Sequence, residues 1–264
     1  MSILEIKQLT RRFGDLTAVD GISICVEEGE IFGLLGPNGA GKTTVLKMLT
    51  TLLPPTGGTA TIAGFDVVRQ AAKVRRVIGY VPQLLSADGG LTGYENLLVF
   101  SRLYDIPRAE RAGRIQYSLS MTGLKEAAER LVSTYSGGMI RRLEIAQSML
   151  HHPPVLFLDE PTVGLDPLAR NSVWEHIAQL KANYGTTIVL TTHYMEEADN
   201  LCNRVAIMHL GKIAAVGTPE ELKTAVGGGA SLDQVFAHYA GAELDSGGSF
   251  REISRTRRTA RRLG

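Results

Sequence analysis

Cysteine is nearly absent: the chain has two, Cys25 and Cys202, each inside a short apolar stretch. Two thiols without ligand spacing exclude a disulfide framework and a thiolate metal site, and predict two buried, reduced side chains. Long apolar runs are missing too. No stretch approaches the ~18–20 apolar residues of a membrane-spanning helix. The opening Met1-Ser2-Ile3-Leu4-Glu5 lacks the basic region and apolar run of a secretion signal. The expectation is a cytoplasmic chain, held at a membrane only through another protein. Charge of one sign is also scarce, with a formal net charge of +1. Residues 251–264 hold six arginines against Glu252 alone, and the rest of the chain has 22 basic and 26 acidic residues. A polyanion-binding surface therefore cannot be claimed from overall charge, and no specific nucleic-acid partner is expected. No internal repeat points to a solenoid. With 44% hydrophobic and 21% charged residues over 264 positions, the chain can bury one large core, with or without a subdomain.

Short apolar runs alternate with helical periodicity, the pattern of an α/β core with a largely parallel sheet. Leu4–Leu9 and Ile22–Val26 alternate with period two and predict an N-terminal antiparallel flap. Ile31–Leu35 predicts a buried strand, and Lys42–Leu53 a helix stopped by Pro54-Pro55. Further strands are expected at Val77–Val81, Val155–Leu158, Thr187–Thr191 and Val205–Met208. Residues from about 85 to 150 have helical periodicity and predict a helical subdomain inserted into a domain spanning 1–225. From 226 onward a short extension is expected: one helix over Ser231–Tyr239, then Gly247-Gly248-Ser249 and the arginine run as a mobile tail. That tail reads either as a contact for anionic lipid headgroups or as a solvated terminus.

Gly36-Pro37-Asn38-Gly39-Ala40-Gly41-Lys42-Thr43 satisfies G-x-x-x-x-G-K-[ST] between a predicted strand and a predicted helix, with Thr44 next in line. Glycines let successive backbone N–H groups converge on an anion at a helix N-terminus. Lys42 is placed for the β- and γ-phosphates of a nucleotide, and the Thr43 hydroxyl for Mg²⁺. Val155–Leu158 runs into Asp159-Glu160, so two carboxylates emerge at the carboxyl end of a buried strand, where open α/β sheets bind ligands. Asp159 is the candidate Mg²⁺ partner, through its water shell. Glu160 is the candidate base for the attacking water. A second anion site follows in Tyr135-Ser136-Gly137-Gly138-Met139, ahead of a helical pattern at Ile140–Leu150. One nucleotide does not need two such sites on one chain unless the second serves a nucleotide held by another subunit.

At these residues the chain resembles the ABC ATPase family, over about residues 3–225. Tyr135–Met139 is similar to that family's signature motif, with Tyr135 in place of the usual leucine and Met139 in place of the usual glutamine. The resemblance implies a P-loop NTPase core and two subunits joined head to tail by ATP. Ser136, Gly137 and Gly138 would then contact the γ-phosphate held by the opposite subunit. It also implies that Gln83 senses Mg²⁺ and links the site to a membrane partner. Asp166, in Gly164-Leu165-Asp166, belongs to a loop coupling the two sites. His193 is the switch histidine at the γ-phosphate. Phe13, in Arg12-Phe13-Gly14, stacks on adenine, where tyrosine is commoner. His151, His152, His176 and His209 have no such context and are expected to be structural.

Other P-loop classes fit less well. The guanine-reading N-K-x-D is absent, no heptad arm lies between Gln83 and Ser136, and there is one phosphate loop. The resemblance therefore implies a transporter subunit with a separate transmembrane permease and a second ATPase subunit, identical or paralogous. Leu91–Leu97, the Tyr-Ser-Gly-Gly-Met motif and the short extension resemble the drug-resistance (daunorubicin-type) export branch. That branch implies an antibiotic, drug-like or lipid-linked cargo. Import and lipoprotein release remain the alternatives, followed by a non-transport ATPase.

Overall fold

The computed structural model describes residues 1–244, so the arginine run at 251–264 lies outside the described residues. In chain order the elements are β1 (Ser2–Phe13), β2 (Leu16–Glu27), β3 (Ile31–Leu35), α1 (Lys42–Leu49), β4 (Gly57–Ile62), β5 (Phe65–Asp66), α2 (Ala71–Arg76) and β6 (Ile78–Val81). There follow α3 (Gly93–Leu103), α4 (Arg108–Met121), α5 (Gly137–Met149), β7 (Val155–Asp159), α6 (Pro167–Tyr184), β8 (Thr187–Thr192) and α7 (Met195–Leu201). The last are β9 (Arg204–His209), β10 (Lys212–Gly217), α8 (Pro219–Val226) and α9 (Leu232–Leu244). The main sheet has order β10-β9-β3-β8-β7-β6 and is parallel from β9 to β6, with β10 antiparallel at the edge. A second sheet, β2-β1-β4-β5, is antiparallel.

Both faces of the main sheet are covered, and period-two alternation divides its side chains between two cores. Phe32, Leu34, Phe157, Val189 and Met208 face α1 and the antiparallel sheet, meeting Leu46, Leu49, Leu4 and Ile6. Ile31, Leu35, Leu156, Leu158, Ile188 and Leu190 face the opposite layer, which supplies Ile145, Val173, Ile177 and Leu180. A third core, with Leu97, Ile115, Leu119, Tyr135 and Leu143, joins α3, α4 and one face of α5. The helices between β6 and β7 therefore have an apolar centre of their own.

Several expectations need correction. Cys25 is exposed, not buried: Ile24 and Val26 point into the core, so the intervening side chain on a two-sided strand must face out. Cys202 is buried, and burial raises its thiol pKa. Helix α1 ends at Leu49, well before the prolines. The Thr50 hydroxyl turns back to donate to Leu46 O, and Thr51 has φ +65°, which a helix cannot continue. No expectation covers strands β4, β5 and β10 or helices α2, α6, α7 and α8. In β4 only Ala60 and Ile62 are buried, too few for a periodic signal. The β9–β10 hairpin turns through Leu210 (φ +45°) and Gly211 (φ +83°), and a leucine there hides the turn. Past residue 231 the helix runs on to Leu244, beyond the expected Tyr239.

His151, expected to be structural, stacks on Tyr104 at 3.9 Å, with its Nε2 3.0 Å from Ile78 O. Burial pushes its pKa down to about 4, and its buried Nδ1 has no acceptor for a second proton. Because the folded value lies below the unfolded ~6.5, this stability is intact above pH 6.5 and is lost as pH falls towards 4. Between pH 7.5 and 5 the loss is expected to be about 1–2 kcal/mol. Urea unfolding of wild type and H151Q at both pH values checks it: the gap between the two proteins shrinks by that amount. Parallel pH dependences contradict the assignment.

Candidate active site

The parallel strands end at one edge of the sheet, and four of them deliver an element of the site there. Strand β3 runs into the glycine loop, β7 into Asp159-Glu160, β8 into His193, and β6 into Pro82-Gln83. The loop bends back to start α1 through Gly41, at φ +107°. A Cβ there would lie 2.5 Å from Ala18 O, so the backbone conformation and the close approach of β2 both require glycine. The result is a cavity of about 300 Å³ lined by Asn38, Gly39, Gly41, Lys42, Thr43 and Thr44, with Gln83 and Glu160 opposite and Ala18 at one side. Gly36 and Ala40 are buried behind this lining, while Pro37 is exposed at the loop's tip.

The charged centre is compact and almost dry. Lys42 and Glu160 are 3% and 5% exposed, and their side chains meet at 3.2 Å. The Lys42 ammonium also donates to Gly36 O at 2.7 Å and Pro37 O at 3.1 Å. Burial lowers its pKa, and the facing Glu160 carboxylate opposes that shift. Gln83 Nε2 donates to the other Glu160 oxygen at 3.1 Å. His193 Nδ1 stands 3.3 Å from that same oxygen, without the alignment of a hydrogen bond. Glu160 thus gathers three of the sequence-predicted residues.

Its backbone has φ +48°, a left-handed conformation costing a glutamate roughly 1–3 kcal/mol. The Glu160 N–H holds the turn by donating to Thr191 O at 3.1 Å and Thr191 Oγ1 at 3.0 Å. Asp159 Oδ1 accepts from Thr43 Oγ1 at 3.0 Å and from Thr191 Oγ1 at 2.6 Å. Thr191 is a site residue that the sequence reading passed over. Two hydroxyl residues ending an apolar strand were the available signal. Tyr80, one strand over, has its phenol pKa raised to about 12, by burial first and by Asp159 second.

Other predicted residues lie elsewhere. Phe13 is exposed at the end of β1, with the Arg11 guanidinium 4.5 Å from its ring centroid, and it is not part of the cavity lining. Ser136 caps α5, its hydroxyl accepting from Met139 N at 3.3 Å. Asp166 caps α6 by accepting from Ala169 N at 2.9 Å. These two helix starts touch each other. A Cβ on Gly138 would lie 2.9 Å from Ala169 Cβ, and one on Gly137 3.1 Å from a Leu165 methyl. Neither Ser136, Gly137, Gly138 nor Asp166 lines this chain's phosphate cavity. The Tyr135 ring replaces leucine within the third core, and its hydroxyl donates to Ala127 O at 2.6 Å. Gly138→Ala must push α5 from α6 and is expected to cost about 1–3 kcal/mol, read as a lower urea midpoint at unchanged slope.

Residues 19–163, more than half of the chain, match the family model described as ABC transporter. The chain belongs to this family. It is an ATP-binding cassette ATPase, and the matched residues include the glycine loop, Asp159-Glu160 and the Tyr135–Met139 segment. A daunorubicin resistance ATP-binding protein of Streptomyces coeruleorubidus is 48% identical over 220 residues, 83% of this chain and 68% of that protein. A Nod factor export ATP-binding protein I of Ralstonia nicotianae is 44% identical over 222 residues, 84% of this chain and 69% of that protein. Among solved structures, the ABC ATPase fold includes a dimeric ATP-binding cassette in a post-hydrolysis state, bound to ADP and Pi. It is 27% identical, with a TM-score of 0.72, over 81% of this chain and 98% of that one. No helix among the described residues is long and apolar enough to cross a membrane.

Proposed function

We propose that this cassette dimerises head to tail around ATP and drives a separate transmembrane permease that exports an antibiotic, drug-like or lipid-linked molecule. The single observation that carries the hydrolytic part is the Glu160 carboxylate, buried and in reach of Lys42, Gln83 and His193. Lys42 is shared between that carboxylate and the phosphate loop. Entering β- and γ-phosphate oxygens compete for the same ammonium, and nucleotide binding thereby releases Glu160 to accept a proton from water. The water oxygen attacks Pγ, the bond to the β,γ-bridging oxygen breaks, and ADP and phosphate leave. His193 lies against the carboxylate to steady the water and the γ-phosphate, while Gln83 holds the carboxylate's second oxygen. Phe13 offers a flat face for adenine, worth ~1–3 kcal/mol if it stacks fully.

Mg²⁺ fits the donor set. Thr43 Oγ1 and Asp159 Oδ1 are hard oxygens 3.0 Å apart beside the cavity, and the Gln83 amide adds a third oxygen donor. When bound, the ion would neutralise charge developing on the phosphate oxygens. The missing wall of the site would come from Ser136, Gly137 and Gly138 of a second cassette, identical or paralogous. In this chain they form the start of α5, with Ser136 exposed and Gly138 buried against α6, none of them lines the phosphate-loop cavity, and Asp166 lies beside them. Export is supported by the resistance and export names of the two relatives and by the resemblance at Leu91–Leu97. The cassette would then sit at the cytoplasmic face of the membrane, peripheral through the permease. Affinity capture of E160Q from membranes solubilised with MgATP tests this. Recovery of an integral membrane permease is expected, and recovery of ribosomal or DNA-bound proteins alone overturns the reading.

A further inference from the structure

We infer that Arg141 and Glu144 are positioning residues for ATP hydrolysis, a buried ion pair on α5 that fastens the Gln83 loop to the helix presenting Ser136 and Gly138. Both side chains are 2% exposed and they pair at 3.0 Å. From that position Arg141 Nη1 donates to Pro82 O at 2.7 Å, and Nη2 donates to Gln83 O at 2.8 Å. The other Glu144 oxygen accepts from the backbone N–H groups of Ser86 and Ala87 and from the Ser86 hydroxyl. One turn on, Gln147 Nε2 donates to Asn96 Oδ1 at 3.3 Å, and Asn96 in turn holds Asp88 through both its N–H and its carbonyl. The segment from Pro82 to Ala87 is thus tied to α5 directly, and Asp88 is tied to it through Asn96 of α3.

The ties to Arg141 and Glu144 run almost entirely to backbone atoms, which leaves the side chains between them free to act. Gln83 turns to Glu160 at 3.1 Å, and Leu84, 81% exposed, faces outward. Stability alone does not account for this pair. Removing two charges from water is expensive, and apolar side chains of similar volume commonly serve a core as well or better. Burial also lowers the Arg141 pKa against the pull of Glu144, and its buried Nε has no acceptor. What the forked guanidinium supplies is direction: its two Nη groups hold two successive carbonyls of the loop. Arg141 lies five residues past Ser136, roughly 7.5 Å along a rigid helix. A shift of α5 when its N-terminus meets a nucleotide therefore reaches the Gln83 carbonyl, and with it the Gln83–Glu160 contact. This inference rests on the reading of Glu160 as the base and adds a route by which the opposite subunit's nucleotide controls that base.

The test is a KM-against-kcat comparison of the full chain, combined with a double-mutant cycle. R141K keeps the charge and loses the fork. It is expected to lower kcat about tenfold with KM for MgATP unchanged within about twofold. On a Q83A background the same substitution should cost less than about twofold, because the group it positions is gone. E144Q, which keeps the volume, carries the same comparison where R141K does not accumulate as folded protein. An equal loss on both backgrounds, or a raised KM at unchanged kcat, overturns the inference. E160Q separates the two failures. Turnover retained in E160Q sinks the base assignment, whereas independent Arg141 and Gln83 effects in an enzyme that E160Q silences sink only the tether.

Discussion

Glu160→Gln is expected to lower ATP turnover by about 10²–10⁴-fold while leaving MgATP affinity within a fewfold of wild type. The substitution is nearly isosteric, so the left-handed turn at φ +48° and both bonds from its N–H to Thr191 are retained. An amide oxygen still accepts from Gln83. What is lost is a group able to take the water's proton, which places the whole effect on kcat. A single-turnover measurement with excess enzyme checks it without interference from product release. A rate within about threefold of wild type removes Glu160 from the base role.

Lys42→Ala has the second large effect, and it divides into two parts that can be measured separately. Losing a charge-assisted contact to phosphate costs about 1.5–3 kcal/mol, roughly 10–150-fold in MgATP affinity. The apo protein also suffers, because the Glu160 carboxylate, 5% exposed, loses the cation it pairs with. Removing one partner of a buried pair typically costs about 3–5 kcal/mol. Gln83 still donates to that carboxylate, which places the expectation near the lower end. The double variant K42A/E160Q is then expected to be more stable than K42A alone, since no uncompensated buried carboxylate remains. Urea unfolding of wild type, both single variants and the double variant closes the cycle. Strictly additive destabilisation contradicts the pairing.

The phosphate loop and the Asp159-Glu160 turn were legible in the sequence because backbone chemistry constrains both spacings. An anion cradle needs its glycines at set intervals, and a catalytic carboxylate at a strand end needs the apolar run behind it. The helices between β6 and β7 were legible as a block, through period 3.6. The weakly apolar elements escaped: β4 buries two residues and β10 is an edge strand whose hairpin carries a leucine at positive φ. Cys25 misled for a related reason, because an apolar neighbourhood in sequence is not burial when successive side chains face opposite ways. Long-range bonds were the least legible. Thr191 touches both Asp159 and Glu160 from a neighbouring strand, and Arg141 reaches Gln83 across 58 positions. Arg141 does not stand out locally, and the only local sign of Thr191 is the hydroxyl pair that ends an apolar strand. Glu197 behaves alike: fully buried, it accepts from the Thr162 hydroxyl and Trp174 Nε1, yet reads in sequence as one acid among several on a surface helix.

The central claim is that one chain supplies the phosphate loop and another closes the site with Ser136–Gly138. Light scattering of purified E160Q, eluted from size exclusion with and without MgATP, tests it most directly. The account predicts the mass of two chains with MgATP, reverting to one chain with MgADP, and loss of the MgATP-dependent pair when Ser136 is replaced by Arg. A single-chain mass in MgATP at concentrations above the measured nucleotide affinity, or a pair indifferent to nucleotide and to Ser136, would contradict it.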